Sequence, residues 1–452
     1  MIEEVLVGVD VGTTSIKALA VSTSGRVVGE ASAPTPWRHQ GPWADADAGE
    51  LASVSIAMCA AAARSAGTSA SVHVTGIGVT GIAEAGALVD ASGRPCAPIL
   101  AWFDPRGDTT AVKAAVTARE YQRATGRRLN SKPSLMKVLW LREHVAGARS
   151  ATRHLCVAEW IVRALGGREV SEASLASRTG MLDILLREPW PVAVELVGDL
   201  LPRERVWAGD PAGTAGGEGV PEILRGATLT VAGLDHQAAA LISGAVSDGA
   251  LFDSMGTAEA LIRTTARSMD RDEIEWLTDR DIDVDWSVLP DHQILLAGRL
   301  TGLTLERVAA MVGADDRDSR LALGEAAALL ERSSGDPRLV EVSNDAVIIG
   351  SITDGVSPAR MWRAAVDDLT AMAGEALDQM AQIVGTHESA VLGGGWTRNA
   401  AIVHAKQRQL GQPVFVEITE PGALGAAYLA GVATGRLSRP GSDGAPRWQV
   451  SG

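Results

Sequence analysis

Asp10 and the two threonines that follow it are the residues whose types and spacing are most suited to chemistry. They lie in Asp10-Val11-Gly12-Thr13-Thr14, directly after the apolar run at 5–9. An apolar run closed by an acid and a small polar turn indicates a buried strand that feeds a tight loop. Gly12 permits close backbone approach, and the threonine hydroxyls and turn amides form a donor surface suited to phosphate. Because the Asp10 carboxylate repels phosphate, the pattern predicts a divalent cation between them.

The second half of the chain repeats this pattern. Asp253-Ser254-Met255-Gly256-Thr257-Ala258 again places an acid, a glycine and a threonine after an apolar run. Two half-chains with the same opening predict a duplicated α/β unit that holds a nucleotide between its halves. The alternative is that both segments are ordinary β-turns, because Gly-Thr pairs are common.

The elements that must position these turns follow from the apolar pattern. Strands at 5–9, 16–23 and 26–33 are predicted to form a meander, repeated at 250–265 and 293–298. The stretches at 15–20 and 259–264 also have a helix-like composition. Residues 109–210 are predicted to be largely helical, as an insertion or a lid. Further strands are predicted at 72–80, 87–90, 97–102, 229–234, 346–350, 389–392 and 413–416, and further helices at 238–245, 301–313, 318–333, 358–385, 400–410 and 422–435.

Asp235 ends the predicted strand at 229–234 and precedes the predicted helix at 238–245. Ligands bind at such strand ends in open α/β sheets. A carboxylate there can take the proton of an alcohol as that alcohol attacks a phosphate, which makes Asp235 a candidate general base. The alternative is that Asp235 caps the following helix.

Two further groups are candidate binding residues. Gly393-Gly394-Gly395 precedes a helix and lets backbone amides approach a nucleotide, and Asn399 is suited to hydrogen-bond its ribose or phosphate. The alternative is a flexible turn. In the first half, a group of charged residues and a tryptophan follows predicted strands and is suited to bind the hydroxyls and C–H faces of a sugar. The alternative is that these are ordinary surface residues with no role in binding. This group consists of Glu84, Trp102, Asp104 and Arg106.

Composition limits the class of protein. At 452 residues the chain is expected to form two or three domains, and its apolar and charged fractions, 46% and 21%, are those of a globular protein. A net charge of -14 argues against non-specific binding to nucleic acid or to anionic membranes. The cysteines, Cys59, Cys96 and Cys156, are widely spaced and predicted to be reduced thiols. With no signal-peptide or membrane-span pattern, a cytoplasmic location is expected.

Taken in order, these segments resemble the FGGY carbohydrate kinases, which include xylulokinases, gluconokinases and glycerol kinases. The resemblance covers residues 5–435. The segments that carry it are Gly8-Val9-Asp10-Val11-Gly12-Thr13-Thr14-Ser15-Ile16-Lys17-Ala18, Ala101-Trp102-Phe103-Asp104-Pro105-Arg106, Gly233-Leu234-Asp235-His236-Gln237-Ala238-Ala239, the second turn at 253–259, Gly393 to Asn399, and Glu420-Pro421-Gly422-Ala423-Leu424-Gly425-Ala426-Ala427.

The resemblance implies an α/β fold of two actin-like (ribonuclease H-like) domains with the active site in the cleft between them. We expect an N-terminal sugar-binding domain at 1–245, a C-terminal nucleotide-binding domain at 246–437 and a flexible tail at 438–452. It also implies ATP and Mg²⁺, transfer of the γ-phosphate to a sugar or polyol hydroxyl, and a ketose such as xylulose, or a related polyol or sugar acid, as the acceptor.

The resemblance also assigns residues to roles. Asp235 is the implied base, and Asp10 and Asp235 are the implied metal ligands. The residues implied to bind ATP are Gly12, Thr13, Thr14, Lys17, Gly256, Thr257, Gly394, Gly395 and Asn399, and those implied to bind the acceptor are Ala83, Glu84, Trp102, Asp104, Arg106 and His236.

The sequence departs from the family pattern at positions that contact the acceptor. Gly81-Ile82-Ala83-Glu84-Ala85-Gly86 lacks the Gln-Met-His-Gly of typical xylulokinases and has Ala83 where the glycerol-kinase loop has arginine. His236 follows the implied base where asparagine or glutamine is usual. Ala258 replaces a serine or threonine, which costs about 1 kcal/mol for one lost hydrogen bond to phosphate.

Other functions on the same scaffold remain open. One is an ATPase or a phosphotransferase with a non-sugar acceptor, and another is a non-catalytic, actin-like ATP-binding regulator. Such regulators usually carry a DNA-binding helix-turn-helix, whereas this acidic chain starts at its first predicted strand. No nucleic-acid or membrane partner is expected, and a homodimer is the assembly considered.

Overall fold

A computed structural model describes residues 3–67, 72–330, 340–342, 347–350 and 355–440, together with residues 446 and 448. Its strands are β1 (Glu3–Val11), β2 (Ser15–Ser22), β3 (Val27–Pro34), β4 (Arg38–Gln40), β5 (Trp43–Ala46), β6 (Val72–Gly81), β7 (Gly86–Val89), β8 (Ile99–Leu100), β9 (Arg153–Cys156), β10 (Val170–Glu172), β11 (Leu182–Asp183), β12 (Glu188–Pro189), β13 (Glu204–Val206), β14 (Thr228–Leu234), β15 (Ala250–Met255), β16 (Glu259–Thr265), β17 (Asp283–Trp286), β18 (Gln293–Arg299), β19 (Val340–Val342), β20 (Val347–Ile349), β21 (Ser389–Gly393) and β22 (Val414–Phe415).

The helices alternate with these strands along the chain. They are α1 (Ala48–Ser65), α2 (Thr110–Ala115), α3 (Ala118–Thr125), α4 (Ser134–His144), α5 (Val157–Ala164), α6 (Ala173–Ser177), α7 (Pro191–Val197), α8 (Asp235–Ile242), α9 (Arg271–Thr278), α10 (Thr301–Met311), α11 (Arg317–Ala328), α12 (Pro358–Val384), α13 (Ala400–Leu410) and α14 (Pro421–Ala433). No helix in the described part of the chain combines the length and the apolar composition that a membrane span requires.

Two mixed sheets share the order of five strands, and the second has a sixth strand, β17, at one edge. The first runs β14-β6-β1-β2-β3 and the second β17-β18-β16-β15-β21-β22. In each, an antiparallel hairpin (β1–β2 or β15–β16) leads away from a parallel pair (β1–β6 or β15–β21). This shared connectivity confirms the internal duplication that the two turns predict. The helix-like interpretation of 15–20 and 259–264 is wrong, because both stretches pair along their length as β2 and β16.

The last helix of the chain packs on the first sheet. A side chain added at Gly8 would lie 1.9 Å from the carbonyl oxygen of Ala423, and one added at Gly78 would lie 2.0 Å from that of Ala426. Glycines on β1 and β6 therefore let α14 approach these strands backbone to backbone. Although α14 follows the second sheet along the chain, its apolar face completes the core of the first.

Residues 109–210 differ from their predicted form. The region contains short helices, α2 to α7, separated by the strands β9 to β13 and by loops. Alanine- and leucine-rich stretches favour helix locally. Pairing in three dimensions overrides that preference where β9 joins β7 and β10 joins β13. The region is therefore a mixed unit, not a largely helical one.

The predicted domain limits stay a prediction, although the two sheets draw their strands from residues before 235 and after 249. Most of the predicted tail at 438–452 lies outside the described residues. Within it, the ring of Trp448 lies 5.4 Å from that of Tyr428 in an edge-to-face contact.

Candidate active site

The first turn, Gly12 to Thr14, is fixed by hydrogen bonds to its carbonyl oxygens, whereas two of its N–H groups have no partner among the described residues. The carbonyl oxygens of Gly12 and Thr13 accept hydrogen bonds from Thr35 Oγ1 (2.8 Å) and Trp37 Nε1 (2.7 Å). The Gly12 N–H donates to Ser15 O (3.1 Å). Within the described residues the N–H groups of Thr13 and Thr14 donate to no other group. They are therefore available to an anion, as the sequence predicts for a phosphate-binding turn.

Asp10 and Asp235 meet at this turn. Asp10 lies near the end of β1 and Asp235 directly follows β14, so both are at the same edge of the first sheet, because β1, β6 and β14 are parallel. Burial, and then the neighbouring Asp235 carboxylate, raise the pKa of Asp10 to about 8. Asp10 Oδ1 is buried and has no hydrogen-bond partner in the described part of the structure.

The Asp235 carboxylate has few contacts. Asp235 is the first residue of α8, and the N-cap position belongs to Leu234. Asp235 Oδ1 accepts only the N–H of His236 (2.7 Å), so the carboxylate makes no capping bond deeper in the helix. The predicted helix at 238–245 begins three residues earlier than expected, which makes the capping alternative a poor account of this residue.

Paired carboxylates with an orphaned buried oxygen fit a divalent cation. No group of three or more histidine, cysteine, aspartate or glutamate side chains suited to a metal occurs among the described residues. Mg²⁺ is commonly held by one or two carboxylates together with substrate phosphates. The donor set at Asp10 and Asp235 therefore fits Mg²⁺ accompanied by a phosphate ligand.

A cation and an acid flank Asp10 on its other side. Lys17 Nζ lies 2.6 Å from Glu420 Oε2, and a side chain added at Gly422 would lie 2.3 Å from Asp10 Oδ2. Glu420 has a positive φ of 50°, a strained backbone for a residue with a side chain. The start of α14 thus lies against Asp10, and Lys17, predicted to bind ATP, is paired with Glu420.

The second turn, Gly256 to Ala258, lies against the start of α10. A side chain added at Gly302 would lie 1.9 Å from Gly256 O, and Leu303 N–H donates to Thr257 O (2.9 Å). Thr257 itself is exposed. The turn therefore presents its hydroxyl beside a helix N-terminus, an environment that favours phosphate.

Two of the predicted nucleotide residues are exposed and one is not. Gly394 has a φ of 104°, and a side chain there would lie 2.4 Å from Met255 O. No atom lies within 4 Å of the corresponding position at Gly395, which leaves room for a ligand. Asn399 is buried; its Oδ1 accepts from Trp362 Nε1 (3.3 Å) and its Nδ2 donates to Arg320 O (3.0 Å). Its amide thus already has partners within the protein.

The carboxyl edge of the second sheet, which carries the second turn, is joined by a short segment to the start of α14. β15, β21 and β22 are parallel, so the second turn and the end of β22 lie at one edge of the second sheet. The five residues at 416–420 then connect β22 to α14, whose start lies at Asp10. Such a connection spans about 20 Å at most. The carboxyl ends of both sheets therefore border one gap.

Glu84 lies in a buried charge cluster that joins the halves. Its Oε1 accepts from Arg127 Nη2 (2.8 Å) and Arg178 Nη2 (2.5 Å). The same two guanidiniums reach Asp283 and Asp285 of β17 at 2.8 Å. Burial acts to raise the pKa of Glu84, but the arginines hold it below its usual value.

Trp102 connects the acceptor candidates to the first turn. Its Nε1 donates to Thr13 Oγ1 (2.9 Å). Lys137 Nζ donates to the carbonyl oxygens of both Glu84 and Trp102 (3.0 Å each), which fixes the two loops together. Burial lowers the pKa of Lys137 to about 8. Ala83 is buried beside Glu84, and His236 is half-buried next to the candidate base.

Asp104 and Arg106 mainly hold their own loop. Asp104 is buried, accepts the N–H of Ala44 (2.6 Å), and pairs with Arg106 Nη2 (2.8 Å). The Arg106 guanidinium also reaches Asp45 (2.9 Å) and lies 5.0 Å from the ring of Trp43. Their predicted contact with the acceptor stays a prediction.

The sequence analysis did not identify the charged residues that contact the site residues from distant parts of the chain. Arg127 and Arg178 on Glu84, Glu420 on Lys17, and Lys406 beneath the second turn all lie distant in sequence from their partners. The available signal was weak: Glu420 precedes Pro421, which is common at the first position of a helix.

Comparison with known proteins gives one family and one fold. The N-terminal domain of the FGGY family of carbohydrate kinases matches residues 5–202. Glycerol kinase from Dechloromonas aromatica is 28% identical over 96% of this chain and 89% of its own. L-fuculokinase from Escherichia coli is 28% identical over 97% of this chain and 94% of its own.

Solved structures agree on the architecture. Xylulose kinase from Rhodospirillum rubrum has a TM-score of 0.85 at 21% identity and covers 97% of this chain and 91% of its own. Plasmodium falciparum glycerol kinase with ADP has a TM-score of 0.81 at 18% identity and covers 95% of this chain and 90% of its own. This likeness confirms the predicted fold class of two actin-like domains with an interdomain cleft.

Proposed function

We propose that the chain, which matches the N-terminal domain of the FGGY carbohydrate kinases over residues 5–202, is a member of that family and transfers the γ-phosphate of ATP to a hydroxyl of a sugar or polyol. The observation that carries the proposal is the pair of acids at Asp10 and Asp235, which lies beside an amide-lined turn with free donors. Phosphoryl transfer depends on such positioning and on electrostatic stabilisation more than on covalent catalysis.

Asp235 is the general base in this proposal. Its carboxylate is half-exposed, and a single local N–H contacts it, which leaves an oxygen for the acceptor hydroxyl. A carboxylate within hydrogen-bond reach of that hydroxyl takes its proton as the oxygen attacks phosphorus. We assign to the acceptor His236, which follows Asp235 in the chain, and Trp102, which is hydrogen-bonded to Thr13 of the first turn.

The two turns bind the phosphates. The free N–H groups of Thr13 and Thr14 and the exposed hydroxyl of Thr257 donate to phosphate oxygens. Gly395 leaves space for the nucleoside, and the exposed Gly394 lies next to it. Asp10 and Asp235 would hold Mg²⁺, which neutralises charge on the phosphates when bound. Closure of the halves excludes water, so that the acceptor and not water receives the phosphoryl group.

The acceptor is proposed to be a ketose, or a related polyol or sugar acid, and not glycerol. Ala83 supplies no polar group, and Glu84 Oε1 is already occupied by two guanidiniums. A three-carbon acceptor that depends on these positions therefore has few partners.

The test is ADP release in the presence of ATP and Mg²⁺ with a panel of ketoses, polyols, sugar acids and glycerol. We expect sugar-dependent turnover, which Asp235→Asn lowers by about 10³-fold or more while ADP binding is kept. Asp199→Asn, at an exposed aspartate, is the matched control. Glycerol as the best acceptor would contradict the assigned acceptor class, and normal turnover of the Asp235 variant would remove it as the base.

A further inference from the structure

A buried charge cluster lies beneath the second turn. Lys406, from α13, has 1% of its side chain exposed. Its Nζ lies 2.7 Å from Asp253 Oδ2 and 2.5 Å from Glu259 Oε1. Asp253 lies near the end of β15, and Glu259 begins β16. One ammonium group therefore bridges the two strands close to the turn that joins them.

The cluster also reaches the helix that borders the turn. Thr301 Oγ1 donates to Glu259 Oε2 (2.5 Å), and Thr301 is the first residue of α10. The next residue, Gly302, lies against Gly256 O. Lys406 thus connects α13, both strands of the hairpin and the start of α10 through two contacts.

Stability alone does not explain charged residues at this place. Buried ion pairs recover their desolvation cost poorly, and apolar residues of similar volume would hold a hairpin as well or better. Thr35, Trp37 and Trp102 hold the first turn through neutral hydrogen bonds. The Lys17–Glu420 pair beside Asp10 is partly exposed, whereas the cluster at Lys406 is buried. The charged side chains of Lys406, Asp253 and Glu259 fix the spacing of β15 and β16. They also place a local charge beneath the turn that is proposed to bind phosphate.

We propose that Lys406 is a positioning residue for the phosphates of the nucleotide, acting through Asp253 and Glu259 on the turn at Gly256 to Ala258. This inference rests on the function proposed above. The ammonium group itself does not contact the nucleotide; it fixes the spacing of β15 and β16 and thereby the direction of the turn.

The charge of the cluster depends on Asp253. Burial raises the pKa of Asp253 to about 7, although Lys406 acts to lower it, and Glu259 adds to the rise. Lys406 and Glu259 are the charged groups that face Asp253 from the described elements packed against β15. With Asp253 protonated, Lys406 and Glu259 neutralise each other; ionised Asp253 leaves a net negative charge behind the turn. The contribution of this cluster to phosphate affinity is therefore expected to fall as Asp253 ionises.

The experiment measures the Kd of ADP with Mg²⁺ by calorimetry, together with the KM of ATP and of the acceptor. We expect Lys406→Met to raise the Kd of ADP and the KM of ATP about ten- to a hundredfold, with the KM of the acceptor unchanged. Lys113→Met, at an exposed lysine on α2, is the control. The unfolding temperature of each variant shows whether it folds.

Asp253→Asn keeps the shape of the protonated acid and gives a second, independent test. Between pH 6 and 8.5 the wild type should lose ADP affinity relative to this variant, in which the titration of Asp10 is retained and that of Asp253 is removed. Equal pH profiles, or an unchanged Kd of ADP in folded Lys406→Met, would overturn the inference. If the wild type binds ADP and phosphorylates sugars in either case, the proposed function stands; if it binds no ADP, both fall.

Discussion

The Asp10 carboxylate lies where both burial and its neighbour oppose ionisation. Its pKa of about 8 lies far above the ordinary 3.8, so the folded state binds a proton more tightly than the unfolded chain does. Stability contributed by this proton is present at low pH and lost progressively as pH rises toward about 8. The residue that the site needs for a cation therefore destabilises the metal-free protein at neutral pH.

Asp10→Asn tests this conflict. The variant should unfold at a higher temperature than the wild type in metal-free buffer, by an amount that is absent near pH 4 and grows up to about pH 8. Sugar phosphorylation should fall at the same time, since a ligand of Mg²⁺ is lost. Thermal melts at several pH values, with Asp199→Asn as control, measure the effect. A lower melting temperature at pH 8 would contradict the account of Asp10.

Individual residues were predictable where their partners are close in sequence. The turns at Gly12 and Gly256 and the strand-end acid Asp235 follow from local pattern, and the structure places Asp10 and Asp235 together. The surroundings of Glu84 were not predictable, because Arg127 and Arg178 reach it only after folding. The roles of all these residues in binding stay predictions.

At the scale of elements, the glycines of the first sheet decide how closely α14 approaches. Gly8 faces the carbonyl oxygen of Ala423, which belongs to the first turns of that helix. The same helix begins at Pro421, between Glu420, which pairs with Lys17, and Gly422, which lies against Asp10. A change in the distance between β1 and α14 therefore moves Glu420 and Gly422 relative to Lys17 and Asp10.

Gly8→Ala tests this packing. The added methyl group overlaps the backbone of α14, and this helix must shift as a whole to relieve the overlap. The free energy of unfolding should therefore fall by about 3 kcal/mol. Because the shift moves Glu420 away from Lys17, kcat should fall as well. Gly298→Ala, on β18 with no atom within 4 Å of the new carbon, should change neither quantity. Urea unfolding and turnover measure both; wild-type values for Gly8→Ala would refute the packing account.

Strands and helices outside 109–210 largely follow their predicted positions, because periodicity and strand-ending glycines mark them well. Long helices such as α12, at Pro358–Val384, match the predicted 358–385 closely. The prediction for 109–210 was wrong because the short strands β9 and β10 pair with β7 and β13, which lie far from them in sequence. The predicted strand at 346–350 lies partly outside the described residues and otherwise corresponds to β20.

At the scale of the whole molecule, ions connect the two halves. Arg127 and Arg178 in the first half meet Asp283 and Asp285 in the second, and Asp285 is fully buried. Gln237 of α8, two residues beyond the candidate base, donates to the carbonyl oxygen of Trp286 on the same strand (3.1 Å). β17 therefore contacts both the Glu84 cluster and the helix that carries Asp235.

Asp285→Asn tests this connection. Removing a buried charge that faces Arg178 should lower the free energy of unfolding by about 3 kcal/mol. Asp281→Asn breaks the exposed pair with Arg128 and should cost about 0–1 kcal/mol. Calorimetric melts compare the two variants. Equal losses would mean that the buried cluster contributes no more than a surface ion pair.

The placement of α14 has a consequence for synthesis of the protein. Residues of the first sheet leave the ribosome long before Ala433, yet the glycine-lined face of β1 and β6 stays bare until that helix emerges. The apolar surface of the nascent first half therefore stays exposed until α14 has been translated. A chain truncated before the helix is expected to aggregate or to occupy chaperones, and not to accumulate as a stable half-protein.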